Sequence, residues 1–135
     1  MSFIKINPNP RWKEVGDCTV RAISLATNKP WEEIYVDLCL QGYKMGDMPS
    51  ANAVWGRYLV DKGYKCQTCE LVFDGTCTVS KFAENHSKGI YILATGTHVV
   101  CVKDGNYLDA WDSGEVPIIY YFFKEGEKKD GDTVQ

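Results

Sequence analysis

Apolar residues recur at helical spacing through the first half of the chain and at strand spacing through the second. A first helix is predicted over residues 18 to 27. Its positions 18, 21, 22 and 25 share one face, and Asp17 stands where a cap is needed. Asn28-Lys29-Pro30 breaks it, and a second helix follows from Pro30 through Leu40, with Gly42 as its stop. Ser50 is placed to cap a third helix over 51 to 62. Val54, Trp55, Tyr58 and Leu59 form its apolar stripe, and Gly63 closes it.

Beyond Gly63 the period shortens. Strands are expected at 64–69, 70–73, 90–94, 98–103, 106–111 and 117–123, with a short helix at 78–86 ended by Ser87-Lys88-Gly89. Asp104-Gly105 marks a two-residue hairpin turn. The tail from Lys124 is polar and expected to fray. Helices first and strands second predict an α+β fold, with N-terminal helices packed on a C-terminal antiparallel β-sheet in one domain spanning 1–135.

Composition narrows the function classes. At 135 residues and 44% hydrophobic content, the chain is long enough for one core without metal or disulfide staples. The net charge of -3 is mixed rather than blocked, and no basic stripe is interleaved with aromatics, so no nucleic-acid partner is expected. The first residues run into polar Asn7-Pro8-Asn9-Pro10, and no apolar stretch has membrane length. The expectation is a cytoplasmic protein with no membrane partner.

Six cysteines without an export signal predict free thiols. Cys39 and Cys101 lie in apolar runs and are expected as buried small hydrophobes. Cys66 and Cys69, with Cys77 beyond, raise a zinc site, but a structural site needs four ligands and only His86 is near. No metal and no cofactor are expected.

The chemistry starts at Cys18. In the first turn of a helix its sulfur faces unpaired N–H groups and the positive dipole end, which favours thiolate. The same N–H groups can receive an oxyanion. Asp17 opposes this unless its carboxylate turns away into the cap. The plain alternative for Cys18 is a packed residue at a helix start.

A thiol nucleophile needs a base, and the chain holds two histidines. His86 sits near a helix end, where it is expected to satisfy the last turn. His98 opens an apolar strand. If Asp104-Gly105 is the turn, Lys103 faces Asn106, Val100 faces Asp109 and His98 faces Trp111. Asp109 then shares a face with His98 as a diagonal neighbour. Asp112 has the opposite parity and needs a bulge or strand end to reach the ring, which leaves it as the alternative acid.

The segments Gly16-Asp17-Cys18-Thr19-Val20-Arg21-Ala22-Ile23, Thr97-His98-Val99-Val100 and Leu108-Asp109-Ala110-Trp111-Asp112, in that order, resemble papain-like cysteine peptidases. The nearest likeness is to small bacterial and bacteriophage members related to the bacteriocin-processing branch. The resemblance implies a papain-like fold, Cys18 as nucleophile, His98 as base, Asp109 as orienting acid, and a peptide or protein substrate. Family members usually carry a glutamine just before the cysteine as oxyanion donor. Trp12 occupies that neighbourhood here, and Asn9 is the candidate substitute if its proline-bracketed loop folds back over Cys18.

The expected activity is hydrolysis of a peptide, isopeptide or related amide bond through a thioester, with amidase and acyl-transferase variants left open. Trp55, Tyr107 and Trp111 are read either as cleft lining or as core. The alternative function is a catalytically silent papain-like domain that binds a host or bacteriophage protein.

Overall fold

A computed structural model of the chain describes residues 1–69 and 77–124. Among these residues the elements run β1 (Ser2–Lys5), α1 (Cys18–Thr27), α2 (Trp31–Met45), α3 (Asn52–Asp61), β2 (Lys65–Thr68), α4 (Val79–Asn85), β3 (Ile90–Ala94), β4 (Val99–Lys103), β5 (Asn106–Asp109) and β6 (Tyr120–Phe123). The fold is mixed α+β. The strand expected at 70–73 and the tail from 125 onward lie outside the described residues.

The strands form one sheet in the order β1-β5-β4-β3-β6-β2. It is mixed rather than wholly antiparallel, because β1 joins the edge in parallel with β5 and pairs Lys5 with Asp109. The other neighbouring pairs are antiparallel. The expected register holds where Lys103 faces Asn106 across the Asp104-Gly105 turn.

Both faces of the sheet are covered, which explains why β3 (IYILA) and β4 (VVCVK) read as continuous apolar runs. Ile92, Ala94, Val99 and Cys101 face the layer of α1, α2 and α3, where Ala22, Ile23, Leu38, Trp55 and Leu59 are buried. Tyr91, Leu93, Val100 and Val102 face Val79, Phe82 and Ala83 of α4 on the other side. Alternation along each strand therefore feeds two cores. Burying one such side chain as large as Ile23 or Leu59 stabilises the fold by roughly 1.5–3 kcal/mol.

Helix boundaries depart from expectation where close contacts override the local signal. α2 does not stop at Gly42. That glycine is buried mid-helix, and a Cβ there would lie 2.7 Å from the carbonyl oxygen of Asp47, so it admits the returning chain. The helix ends instead at Gly46, in the left-handed region at φ 69°. α3 is preceded by Ala51, and neither Ser50 nor any other side chain caps it. Asp17 precedes α1 but makes no side-chain cap, for a reason set out below.

The cysteines also differ from expectation. Cys69 and Cys77 form a disulfide, while Cys18, Cys39, Cys66 and Cys101 are free. The backbone brings the bonded pair together: Cys69 N–H donates to the Ile119 carbonyl, and Ile118 N–H donates to the Cys77 carbonyl. Both residues are thereby pinned beside one stretch of chain. Cys101 is buried as expected, whereas Cys39 is only half-buried. Among the described residues no helix is long and apolar enough to cross a membrane.

Candidate active site

Three elements converge at one end of the sheet. Cys18 is the first residue of α1, His98 immediately precedes β4, and Asp109 is the last residue of β5. α1 packs its Ala22 and Ile23 side against β4, which carries the helix start to the strand start. The Asp109 backbone is braced from its outer side by the chain just after β1, where Ile6 N–H donates to the Asp109 carbonyl at 2.9 Å.

The His98 ring joins the other two groups. Its Nε2 is 2.7 Å from Asp109 Oδ2, and the Cys18 sulfur lies near enough to the ring for the two groups to shift each other's ionisation. The Trp111 ring lies against the imidazole at a centroid distance of 4.7 Å, half exposed to solvent. His98 itself is held from below by the β3–β4 turn, where its N–H donates to Thr95 Oγ1 at 3.0 Å.

Ionisation follows from these contacts. Burial pushes the Cys18 thiol up, but the hydrogen bond and charge of His98, the Val99 backbone N–H and the Arg21 charge outweigh it, and the thiol is lowered. Burial alone would lower the His98 ring, yet its bonds to Asp109 and Cys18 raise it to about 9. Burial likewise disfavours an ionised Asp109, and this is overcome by donors from His98, Ser113 and Ala110, so the acid is lowered. A lowered thiol beside a raised imidazole shifts the balance toward a thiolate–imidazolium pair.

Asp109 distributes four donors between its oxygens. Oδ2 accepts from His98 and from Ser113 Oγ at 2.6 Å, while Oδ1 accepts from Ala110 N–H at 2.8 Å and Arg21 Nη2 at 3.3 Å. Asp112 is engaged elsewhere. It accepts from the Tyr107 hydroxyl at 2.7 Å and from Gly114 N–H at 3.0 Å, and the Tyr107 bond is what lowers its carboxyl. The alternative acid lies in the segment after β5, where strand parity no longer applies, and is held there by Tyr107 and Gly114.

Arg21 explains the uncapped helix. Its Nη1 pairs with Asp17 Oδ1, and Asp17 Oδ2 accepts from Asn9 Nδ2 at 3.3 Å and Trp31 Nε1 at 3.0 Å. The Asp17 carboxylate is thus drawn away from the first-turn N–H groups. The first N–H groups of a helix have no intrahelical acceptor, and here Asp17 does not cap them.

Asn9 is buried, as a loop folded back over the helix start requires. One of its amide hydrogens goes to Asp17, and its carbonyl accepts from Arg11 N–H at 2.9 Å. The second amide hydrogen makes no hydrogen bond among the described residues. His86 behaves as a helix-end residue, its Nδ1 2.8 Å from the Phe82 carbonyl.

A cavity of about 810 Å³ lies beside this constellation, between the loop before α1 and the Trp31–Leu38 side of α2. Gly16, Asp17 and Thr19 line it, but Cys18 does not, so it adjoins Cys18 without containing it. Trp31 and Tyr35, stacked at 5.0 Å, form much of its apolar wall. The aromatics read from sequence as possible cleft residues divide: Trp55 and Tyr107 are core, and Trp111 shields His98.

Sequence reasoning missed Arg21 and Ser113. Arg21 had a signal, a lone charge among Val20, Ala22 and Ile23 on the face that holds Cys18. Ser113 had none, because its partner is defined only by the turn after β5. Among the described residues no three His, Cys, Asp or Glu side chains cluster as metal ligands. The disulfide also removes Cys69 and Cys77 as thiolate donors. Comparison with family models, with curated proteins and with solved structures finds no match to this chain.

Proposed function

We propose that the chain is a papain-like thiol hydrolase that cleaves a peptide, isopeptide or related amide bond through a thioester intermediate. The observation that carries this reading is the convergence of the Cys18 sulfur, the His98 ring and Asp109 at one end of the sheet, with His98 Nε2 2.7 Å from Asp109 Oδ2 and Cys18 and His98 shifting each other's ionisation.

In the proposed reaction the Cys18 thiolate attacks the substrate carbonyl carbon, and the carbonyl π electrons move onto oxygen. First-turn N–H groups of α1 receive that oxyanion, with the spare Asn9 amide hydrogen as a candidate second donor. Imidazolium His98 gives its proton to the leaving nitrogen as the C–N bond breaks, which leaves a thioester and a neutral ring. The ring then takes a proton from water, hydroxide adds to the thioester, and the acid product leaves as the thiolate reforms. Asp109 keeps the ring oriented throughout, its carboxylate remaining ionised.

A cytoplasmic location belongs to the same proposal. In a reducing compartment Cys69 and Cys77 would be two thiols that bridge on exposure to oxidant. The second reading, a silent domain binding a host or bacteriophage protein, is favoured by one feature: the large cavity does not include Cys18.

The deciding experiment incubates the full chain with a diverse peptide library and quenches it in acid for mass spectrometry. The proposal expects new peptide termini and a transient acyl adduct on Cys18, both lost in Cys18→Ala. Library peptides that bind equally to wild type and Cys18→Ala without cleavage or adduct would establish the binding reading instead.

A further inference from the structure

Arg21 is one helical turn beyond Cys18 and is buried, with its two terminal nitrogens directed at two different carboxylates. Nη1 holds Asp17 and also lies 3.5 Å from the Val15 carbonyl, while Nη2 holds Asp109 Oδ1. Its Nε is buried and has no hydrogen-bond partner among the described residues. A buried guanidinium with an unpartnered N–H is a poor source of stability, since desolvation consumes much of the Coulombic gain. Its geometry is informative instead. A planar fork can hold two acids at once in fixed orientations, which a lysine ammonium, as a single point charge, cannot do.

We infer that Arg21 is a positioning residue that ties the nucleophile-bearing start of α1 to the acid at the end of β5, fixing the orientation of both Asp17 and Asp109. The inference rests on the reading of Cys18, His98 and Asp109 as the reacting set. By occupying Asp109 Oδ1, Arg21 leaves Oδ2 facing the His98 ring. By drawing Asp17 aside, it keeps a carboxylate adjacent in sequence to Cys18 from aiming at the sulfur. The charged groups at this end of the sheet are Asp17 just before α1, Arg21 from α1, His98 just before β4 and Asp109 at the end of β5. Arg21 is the permanent cation among them.

The test uses the full chain as wild type, His98→Ala, Arg21→Met, Arg21→Lys and the double variant Asp17→Asn/Arg21→Met. Three properties are measured: iodoacetamide labelling of Cys18 across pH, the downfield ring N–H resonance of His98, and the melting temperature. Arg21→Met is expected to slow Cys18 labelling at pH 7 and to displace its labelling profile to higher pH. Arg21→Lys keeps the charge but not the fork, so labelling falls less while the His98 resonance broadens. The double variant leaves no unpaired Asp17. It tests the Asp109 anchor even if Arg21→Met does not fold, and it is expected to lose the sharp resonance.

A purely structural role would lower the melting temperatures yet leave the labelling profile and the resonance as in wild type, and that result overturns the inference. Wild-type labelling identical to that of His98→Ala overturns the catalytic reading itself, and the inference with it.

Discussion

His98 Nε2 lies 2.7 Å from Asp109 Oδ2, so one ring nitrogen is committed to the carboxylate and the other is left for the Cys18 sulfur. This fixes the tautomer that the neutral ring adopts and makes Asp109 the group that raises its basicity. In Asp109→Asn the ring is expected to titrate well below its present value of about 9, toward the ordinary value near 6.5. Asp112→Asn, which removes an acceptor of the Tyr107 hydroxyl, is expected to leave the ring unchanged. Nitrogen-15 NMR of the imidazole reads both variants, and an unmoved ring in Asp109→Asn would contradict the assignment.

Ser113 is fully buried, and its hydroxyl donates to the same carboxylate oxygen at 2.6 Å. Ser113→Ala removes a bond to a charged acceptor, which costs about 1.5–3 kcal/mol. The melting temperature should therefore fall by roughly 5–10 °C. Ser113→Thr, which retains the hydroxyl, is the matched control in the same thermal scan. Equal melting of wild type and Ser113→Ala would show that the bond contributes nothing.

Part of this arrangement is legible in the sequence. The bounds of α1 and β3 follow from local pattern alone, because helical spacing and a continuous apolar run each survive in the fold. Parity along the hairpin was enough to rank Asp109 above Asp112. What escaped was set by distant contacts. β1 is four mostly exposed residues without alternation, and only its parallel pairing with β5 makes it a strand. Gly42 carries a stop signal in the sequence, but the approach of Asp47 gives it a different purpose. Asp17 is a good capping residue that a buried arginine one turn away claims for itself. The Cys69–Cys77 pairing depends on both residues docking beside Ile118 and Ile119, which no spacing rule reveals.

That disulfide closes a short loop, with a sequence separation of 8. Chain-entropy considerations assign such a loop roughly 2.5 kcal/mol. Cys69→Ser/Cys77→Ser, or reduction of wild type, should lower the melting temperature by roughly 5–10 °C. The pH profile of Cys18 labelling should not change, because the bridge lies with the α4-side core rather than with α1. A displaced profile would mean that the bridge supports the site.

The pH dependence of stability has opposing contributions. His98 is raised on folding, so its contribution is complete below about pH 6.5 and lost as pH rises toward 9. Cys18 is lowered, so its contribution is complete above its unfolded value and lost as pH falls through its folded one. Between neutrality and pH 9 the two slopes oppose each other in wild type. Cys18→Ala removes one of them. Its melting temperature should decline between pH 6.5 and 9 relative to that of wild type, and a difference that does not vary with pH would show that the Cys18 thiol is not lowered on folding.

The most direct test of the account is limiting iodoacetamide labelling across pH, read peptide by peptide by mass spectrometry. Cys66 is the internal reference, since burial raises its thiol. The account predicts that Cys18 is labelled well below the pH at which Cys66 reacts, and that His98→Ala abolishes this advantage. Parallel labelling of Cys18 and Cys66 in wild type, unaffected by His98→Ala, would contradict it.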